Sequence, residues 1–286
     1  MPTPPTSIAV VPAHDKRESQ DLFAAMKQWI REHDIDLVSE ERLNDGGRPD
    51  VLIVLGGDGL MMRMGRVNPG VPILGINFGK VGFLAMAERS HWREVLGALE
   101  RGEFEFQDGP TLKVHVSRNG SASADLTGTA INDVVIRSGL RMIDTELYVD
   151  RRYVNTYPGD GMIVATPQGS TAYCMAAGGP ILIAGVHGFA LTPLAPHSPI
   201  RSTFVVPEES QIEMVVANSR TASLILDGEE LTEIQQGDVV HVSRDEHPFR
   251  MIHLADMNFY EAFRSKFNYL IRPDATPSLG NYRSPS

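Results

Sequence analysis

Gly56-Gly57-Asp58-Gly59 is the stretch of this chain in which chemistry is most concentrated. The apolar, β-branched run Val51–Leu55 stops abruptly in two glycines, a carboxylate and a third glycine. Such a run reads as a strand buried on both faces, and glycines at its end let the backbone turn sharply and let a phosphate approach without a Cβ in the way. Asp58 then stands where ligands lie in open α/β sheets, at the carboxyl end of a strand. A carboxylate beside phosphate is repulsive, so it calls for a role. It can accept a proton, hold a metal, or serve as an ordinary cap of the helix that follows.

Four other stretches carry polar groups in unusual settings. Gly75–Leu84 sets three glycines after a strand, which suits close approach to a ligand or a plain packing turn. It is not a Walker A loop, since no Ser or Thr follows Lys80. Asn132-Asp133 interrupts the apolar run Ala130–Ile136. Buried amide and carboxylate groups need partners, and either ribose hydroxyls or a local bulge would supply them. Gly159-Asp160-Gly161, with Arg141 upstream, reads as a turn that can also present a carboxylate. Thr166-Pro167-Gln168-Gly169-Ser170-Thr171-Ala172-Tyr173 offers hydroxyls and one flat ring at a helix start, fit for a nucleotide or for simple capping. The histidines show no i, i+4 pair of metal-ligand spacing, no G-x-S-x-G surrounds Ser170, and Cys174 lies in a small-residue run that reads as packing.

The elements that must position these groups fall into two kinds. Ser7–Val11 and Val71–Asn77 read as strands flanking Val51–Leu55. Arg17–His33 reads as an amphipathic helix, and Ser90 precedes a second one over His91–Glu100. That alternation predicts a parallel, Rossmann-like α/β domain over residues 1–102. From Phe104 the helical period fades. Leu112–Arg118, Ser123–Arg137, Thr145–Val149, Met162–Thr166, Gln211–Ala217, Ser223–Leu226 and Asp238–Ser243 read as strands, with turn pairs at Asn119-Gly120, Asp227-Gly228 and Gly237-Asp238. They predict a β-rich domain of β-sandwich type over residues 103–248. A strand near Phe249–Leu254 and an aromatic helix over Asn258–Tyr269 make up residues 249–271. The Pro- and Ser-rich residues 272–286 read as a disordered tail.

The chain has 286 residues, 42% hydrophobic and 22% charged, with a formal net charge of −10 and a single cysteine. Its length allows a sizeable core. Its acidity argues against nucleic acid or an anionic membrane as partner. One cysteine excludes an internal disulfide framework. Residues 1–6 lack the basic and apolar regions of a signal peptide. The apolar stretch Gly178–Pro196 is broken by His187 and by several Gly and Pro, so it is no membrane span. These features predict a cytoplasmic protein.

In order and spacing over residues 50–206, these blocks resemble the NAD kinase family. Gly56–Gly59 alone is shared with lipid kinases and phosphofructokinases; all the blocks together, with Ala177-Gly178-Gly179-Pro180 after Tyr173, are far more specific. The resemblance implies a phosphofructokinase-like α/β N-terminal domain and an all-β C-terminal domain, with the terminal helix packing back on the first. It implies transfer of a phosphoryl group to the adenosine ribose 2′-hydroxyl of NAD, giving NADP. ATP with a divalent metal such as Mg²⁺, or inorganic polyphosphate, would be the donor. It also implies a homodimer or homotetramer. Asp58 falls at the catalytic carboxylate, and Gly57, Gly59 and Arg63 fall at positions near the diphosphate. Asn132, Asp133, Arg141 and Asp160 fall at substrate contacts, and Thr171, Ala172, Tyr173 and Ala176 at the adenine and ribose lining. No metal ligand is assigned. Three residues depart from the family pattern: Leu60 and Gln168 stand where Thr is usual, and Pro158 where many bacterial members are basic. They bear on donor choice and on NAD against NADH. The competing readings are a non-catalytic NAD(P)-binding sensor and a lipid or sugar kinase.

Overall fold

The computed structural model describes residues 2–78, 82–85, 87–118, 126–183, 185–218, 220–255, 259–260 and 262–264. Gly79, Lys80 and Val81, the Asn119-Gly120 turn and the tail 272–286 lie outside the described residues, as do parts of the terminal helix. By its internal contacts the chain divides into two compact units. One holds the residues up to Met61, Leu74–Glu105 and the described residues from His253 on; the other holds Met62–Ile73 and Phe106–Ile252.

The first unit begins with alternating strands and helices: β1 (Ser7–Pro12), α1 (Arg17–Glu32), β2 (Asp36–Val38), α2 (Glu40–Asn44) and β3 (Val51–Leu55). Then come α3 (Asp58–Val67), whose residues from Met62 on belong to the second unit, β4 (Ile73–Asn77), β5 (Ala87–Glu88) and α4 (Trp92–Glu100). β1 pairs in parallel with both β2 and β3, in the register Ile8 to Val51 through Pro12 to Leu55. β3 and β4 are buried at every position. A central parallel strand is covered on both faces, which is why Val51–Leu55 shows no polar alternation. The Ser90 cap expected for α4 does not form: Arg89–His91 makes a 3₁₀ turn, and no side chain caps the helix.

The second unit is all-β. β6 (Glu105–Gly109) precedes β7 (Leu112–Ser117), β8 (Leu126–Ala130), β9 (Asp133–Ser138), β10 (Ile143–Val149), β11 (Arg152–Gly159) and β12 (Gly161–Ala165). After the short helix α5 (Tyr173–Ala176) come β13 (Gly188–Leu194), β14 (Phe204–Pro207), β15 (Ile212–Val216), β16 (Ala222–Leu226), β17 (Glu229–Ile234), β18 (Val239–Arg244) and β19 (Phe249–His253). Two six-stranded antiparallel sheets result, in the orders β11-β10-β15-β18-β7-β8 and β14-β13-β12-β9-β16-β17. β19 instead pairs in parallel with β4 through Met251 and Ile73. The two sheets share one core: Leu112, Val114, Val116 and Leu147 from the first meet Val134, Ile136, Met162, Val164 and Phe189 from the second.

The second sheet is covered on its other face as well. Val135, Ile163, Ala165 and Ala190 pack there with Cys174 and Leu182. Successive side chains on a strand point to opposite faces, so Val134 and Ile136 enter the sandwich while Asp133 and Val135 face α5. Double burial makes β12 apolar throughout and leaves Thr192 as the one polar side chain of β13, and β13 therefore reads as an apolar run rather than as a patterned strand.

The α/β class of the first part and the sandwich class of the second are as the sequence predicts. Two elements differ. Ser123–Arg137 is not one strand: β8 and β9 are separated by Ile131 and Asn132, whose amides are bonded outside any ladder. The helix expected to start in Thr166–Tyr173 is a 3₁₀ turn, Gly169–Thr171, followed by the single turn of α5. Phe189, fully buried between the sheets, tests the sandwich core. Phe189→Ala should lower stability by about 3–5 kcal/mol, read as a lower denaturant midpoint for loss of β-sheet circular dichroism.

Candidate active site

In the first unit the site is built around Asp58. β3 ends at Leu55, and the Gly56 amide crosses to the Ile76 carbonyl at 3.0 Å. The Leu60 and Met61 amides both donate to the Gly57 carbonyl, which opens α3. Asp58 does not cap this helix. Its carboxylate reaches across to residues 83–85: Oδ2 accepts the Phe83 amide at 3.0 Å, and Oδ1 accepts those of Leu84 at 3.2 Å and Ala85 at 3.0 Å. Amide donors hold a carboxylate in one orientation. Gly82 makes the arrangement possible, because a Cβ there would overlap the Asp58 carboxylate. Gly57 and Gly59 are exposed, and nothing lies within 4 Å of where their Cβ atoms would stand. An anion can therefore approach the amino end of α3 closely. Leu60, one of the departures, packs its side chain over Gly56, with Cδ2 2.8 Å from that glycine's Cβ position. Arg63 is exposed on α3.

In the second unit the focus is Ile131-Asn132-Asp133. Asp227 accepts three amides in a row: Ile131 at 2.9 Å on Oδ2, then Asn132 at 2.7 Å and Asp133 at 3.2 Å on Oδ1. The Asp227 amide returns to the Asp133 carbonyl at 3.1 Å. Thr166 takes the other two carbonyls, its hydroxyl donating to Ile131 at 2.7 Å and its amide to Asn132 at 2.9 Å. Every main-chain polar group of the three residues is thus bonded, and the side chains of Asn132 and Asp133 carry the remaining capacity. Gly169 lets the two segments meet, since a Cβ there would overlap the Asn132 carbonyl. The Asn132 amide nitrogen rests on the Met62 sulfur at 3.1 Å. Its Oδ1 is buried and has no partner among the described residues. Such an acceptor is costly unless a ligand or water donor reaches it.

Asp133 is buried, and that burial, helped by the neighbouring charge of Asp227, pushes its carboxyl up to about 7. Burial raises Asp227 too, but the three amides and Arg66 oppose the rise. The negative charge therefore rests first on Asp227, and Asp133 is the later of the two to ionise.

The Thr166–Tyr173 block is fixed against this segment. The Ser170 hydroxyl donates to the Pro167 carbonyl at 2.6 Å and accepts the Leu182 amide at 2.9 Å, so Ser170 is buried in a structural role. Thr171, Ala172 and Tyr173 are half-buried and Ala176 is exposed, so these four edge the open side of the block. Gln168 packs against β6 so tightly that a Cβ on Gly109 would overlap its amide, and neither polar atom of that amide has a partner among the described residues. The Pro158 carbonyl accepts the His197 amide at 2.7 Å.

Arg141 and Asp160 are exposed at the far end of the same strands. Ala165 pairs with Asp133, while Gly161 pairs with Arg137. At 3.3 Å per residue, Asp160 is roughly 16 Å along the strand from Asp133. The three residues that sequence reasoning passed over are Gly82, Thr166 as a clamp, and Asp227. Asp227 read as half of an Asp-Gly turn, which it is, with φ of 50° and 85° at Asp227 and Gly228. Its carboxylate's partners lie 94 to 96 residues away, beyond any local signal.

Comparison with known proteins bears on both halves. A profile described as the ATP-NAD kinase N-terminal domain matches residues 8–104, and one described as the ATP-NAD kinase C-terminal domain matches residues 131–254. The chain belongs to the NAD kinase family. It is 54% identical over 270 residues to the NAD kinase of Thermomicrobium roseum, covering 94% of this chain and 93% of that protein. It resembles an NAD kinase from Archaeoglobus fulgidus solved in complex with ATP, with a TM-score of 0.70, 27% identity, and coverage of 92% of this chain and 97% of that one. Yeast NADH kinase complexed with NADH shares the fold, with a TM-score of 0.82 at 19% identity, over 97% of this chain and 90% of that one.

Among the described residues of this family member, no group of three or more His, Cys, Asp or Glu side chains is disposed to hold a metal ion. None of the described helices is long and apolar enough to cross a membrane. The raised Asp133 carboxyl has a stability consequence. The folded protein keeps this proton to higher pH than the unfolded chain, so stability is lost as pH rises toward 7 and the penalty is complete above it. Asp133→Asn should therefore raise the melting temperature at pH 8 by several degrees and change it little at pH 4, measured by scanning calorimetry.

Proposed function

We propose that this protein is an NAD kinase that transfers a phosphoryl group from ATP, or from polyphosphate, to the 2′-hydroxyl of the adenosine ribose of NAD, giving NADP. The observation that carries the chemistry is the Asp58 carboxylate, held by the amides of Phe83, Leu84 and Ala85 beside the open Gly57 and Gly59. The 54% identity to a named NAD kinase supports the substrate.

An ordinary carboxylate is a weak base toward an alcohol. In a loose phosphoryl-transfer transition state, however, the hydroxyl proton becomes acidic late, so a well-aimed acceptor is sufficient. Asp58 orients the 2′-hydroxyl and takes that proton. Gly57, Gly59 and Arg63 receive phosphates at the amino end of α3. Asn132 supplies the buried Oδ1 to a donor on the dinucleotide, and Asp133 accepts ribose hydroxyls. Thr171, Ala172, Tyr173 and Ala176 line the adenine and its ribose. The donor's phosphates would hold the divalent metal, Mg²⁺ by preference, which would there offset their charge.

Arg141 and Asp160 serve the same dinucleotide from a second copy of the chain, in a homodimer or homotetramer; the roughly 16 Å along the strand between Asp160 and Asp133 supports this for Asp160. The domain boundaries near residue 102 and 248, a cytoplasmic location and a place in NADP biosynthesis complete the reading.

A matrix of ATP or polyphosphate against NAD or NADH tests it. NADP should form from NAD, and Asp58→Asn should lose about 10²–10⁴-fold in kcat with the fold intact. Full activity in Asp58→Asn would sink the role given to the carboxylate. Tight NAD binding by calorimetry, with no NADP from any donor, would make the protein a sensor instead. Mixed oligomers of Asp58→Asn and Asp160→Ala should regain activity that neither variant has alone; if they stay inactive, Asp160 does not act across subunits.

A further inference from the structure

Asp227 is built as more than a turn residue. Its carboxylate accepts the amides of Ile131, Asn132 and Asp133, and its own amide closes back onto Asp133. A β-hairpin turn needs none of these bonds, because an Asp-Gly pair forms the turn through its backbone alone. We propose that Asp227 is a positioning residue of the NAD subsite, fixing through three main-chain amides where Asn132 and Asp133 present their side chains. The proposal rests on the reading that those two residues contact NAD.

The charges around it fit this role. Arg66 on α3 favours the Asp227 anion and is itself paired with Glu229 of β17 at 2.6 Å. Asp133 on β9 faces Asp227 with a like charge, and Cys174 on α5 lies near Asp133 as a neutral thiol, pushed up by its burial. A fixed anion at Asp227 thus aligns the three amides and also delays the ionisation of Asp133. Ribose hydroxyls bond best to an ionised Asp133, so KM for NAD should rise as pH falls below about 7.

The test is Asp227→Asn, assayed in the full-length protein with ATP as donor across pH 5.5–8.5. An asparagine oxygen keeps at most part of the clamp and sets a donor against one of the amides. Losing one charge-assisted bond corresponds to about a tenfold rise in KM for NAD, with KM for ATP little changed and kcat falling less than KM rises. The rise of KM on acidification should move to lower pH, because the like charge beside Asp133 is gone. Asp227→Glu keeps the charge and should leave the pH profile in place while KM stays raised. Arg66→Gln, which leaves the clamp's atoms intact, should also move the rise to lower pH, and by less, because it weakens the Asp227 anion without removing it.

Shifts to lower pH in both variants, larger in Asp227→Asn, support the proposal, and if Asp227→Asn fails to fold, the Arg66→Gln shift decides alone. Equal losses for NAD and ATP with a lower melting temperature, or unmoved pH profiles, would reduce Asp227 to a turn residue. Asn132→Ala and Asp133→Asn separate the two levels. If neither alters KM for NAD, the subsite reading itself fails; if both do while the Asp227 variants are silent, only the role of Asp227 is lost.

Discussion

The main-chain accounting at Ile131–Asp133 is the constraint on which the second unit's site depends. Ile131 and Asn132 leave the β ladder between β8 and β9, and Asp133 opens β9; each amide or carbonyl of this segment left unpaired would cost on the order of 1–3 kcal/mol. Asp227 and Thr166 take all of them, from opposite sides and from distant parts of the sequence. The segment is therefore held by the rigid ends of a hairpin and a sheet strand. The side chains it carries inherit that rigidity, as a preorganised subsite requires. Burial raises the Asp133 carboxyl, and the Asp227 anion that the clamp holds beside it adds to the rise.

The first unit solves a similar problem differently. A carboxylate at the start of a helix would ordinarily bond back to that helix, but Gly57 supplies the first turn's acceptor through its carbonyl. Asp58 is left to bond to residues 83–85, whose amides form a shallow concave donor surface of the kind that holds anions. Both halves use backbone amides to aim an acid.

The sequence shows the architecture well and the clamps poorly, for a physical reason. Val51–Leu55 and Arg17–Glu32 are legible because burial imposes a period on their side chains. β13 is obscured because burial on both faces erases the period, and β17 because Glu229, Glu230 and Glu233 make it as polar as a loop. The chemical groups at Asp58 and Asn132-Asp133 stand out as polar interruptions of apolar runs. What orients them does not stand out, since Gly82, Thr166 and Asp227 are common turn residues whose partners are 25 to 96 residues away. Ser123–Arg137 reads as one strand for the same cause: the break at Ile131 is made by Asp227, not by anything local.

The contact between Gln168 and Gly109 has a historical consequence. The resemblance to the family puts a threonine where this chain has Gln168, and the amide of Gln168 occupies the space that a Cβ on Gly109 would need. A side chain at residue 109 therefore has to push the end of Gln168 out of its present place. Shortening residue 168 first leaves that space open. Drift at a strand edge that touches no substrate is in this way tied to the composition of the nucleotide loop. A sequence survey that treats the two columns as independent would misjudge which replacements each can tolerate.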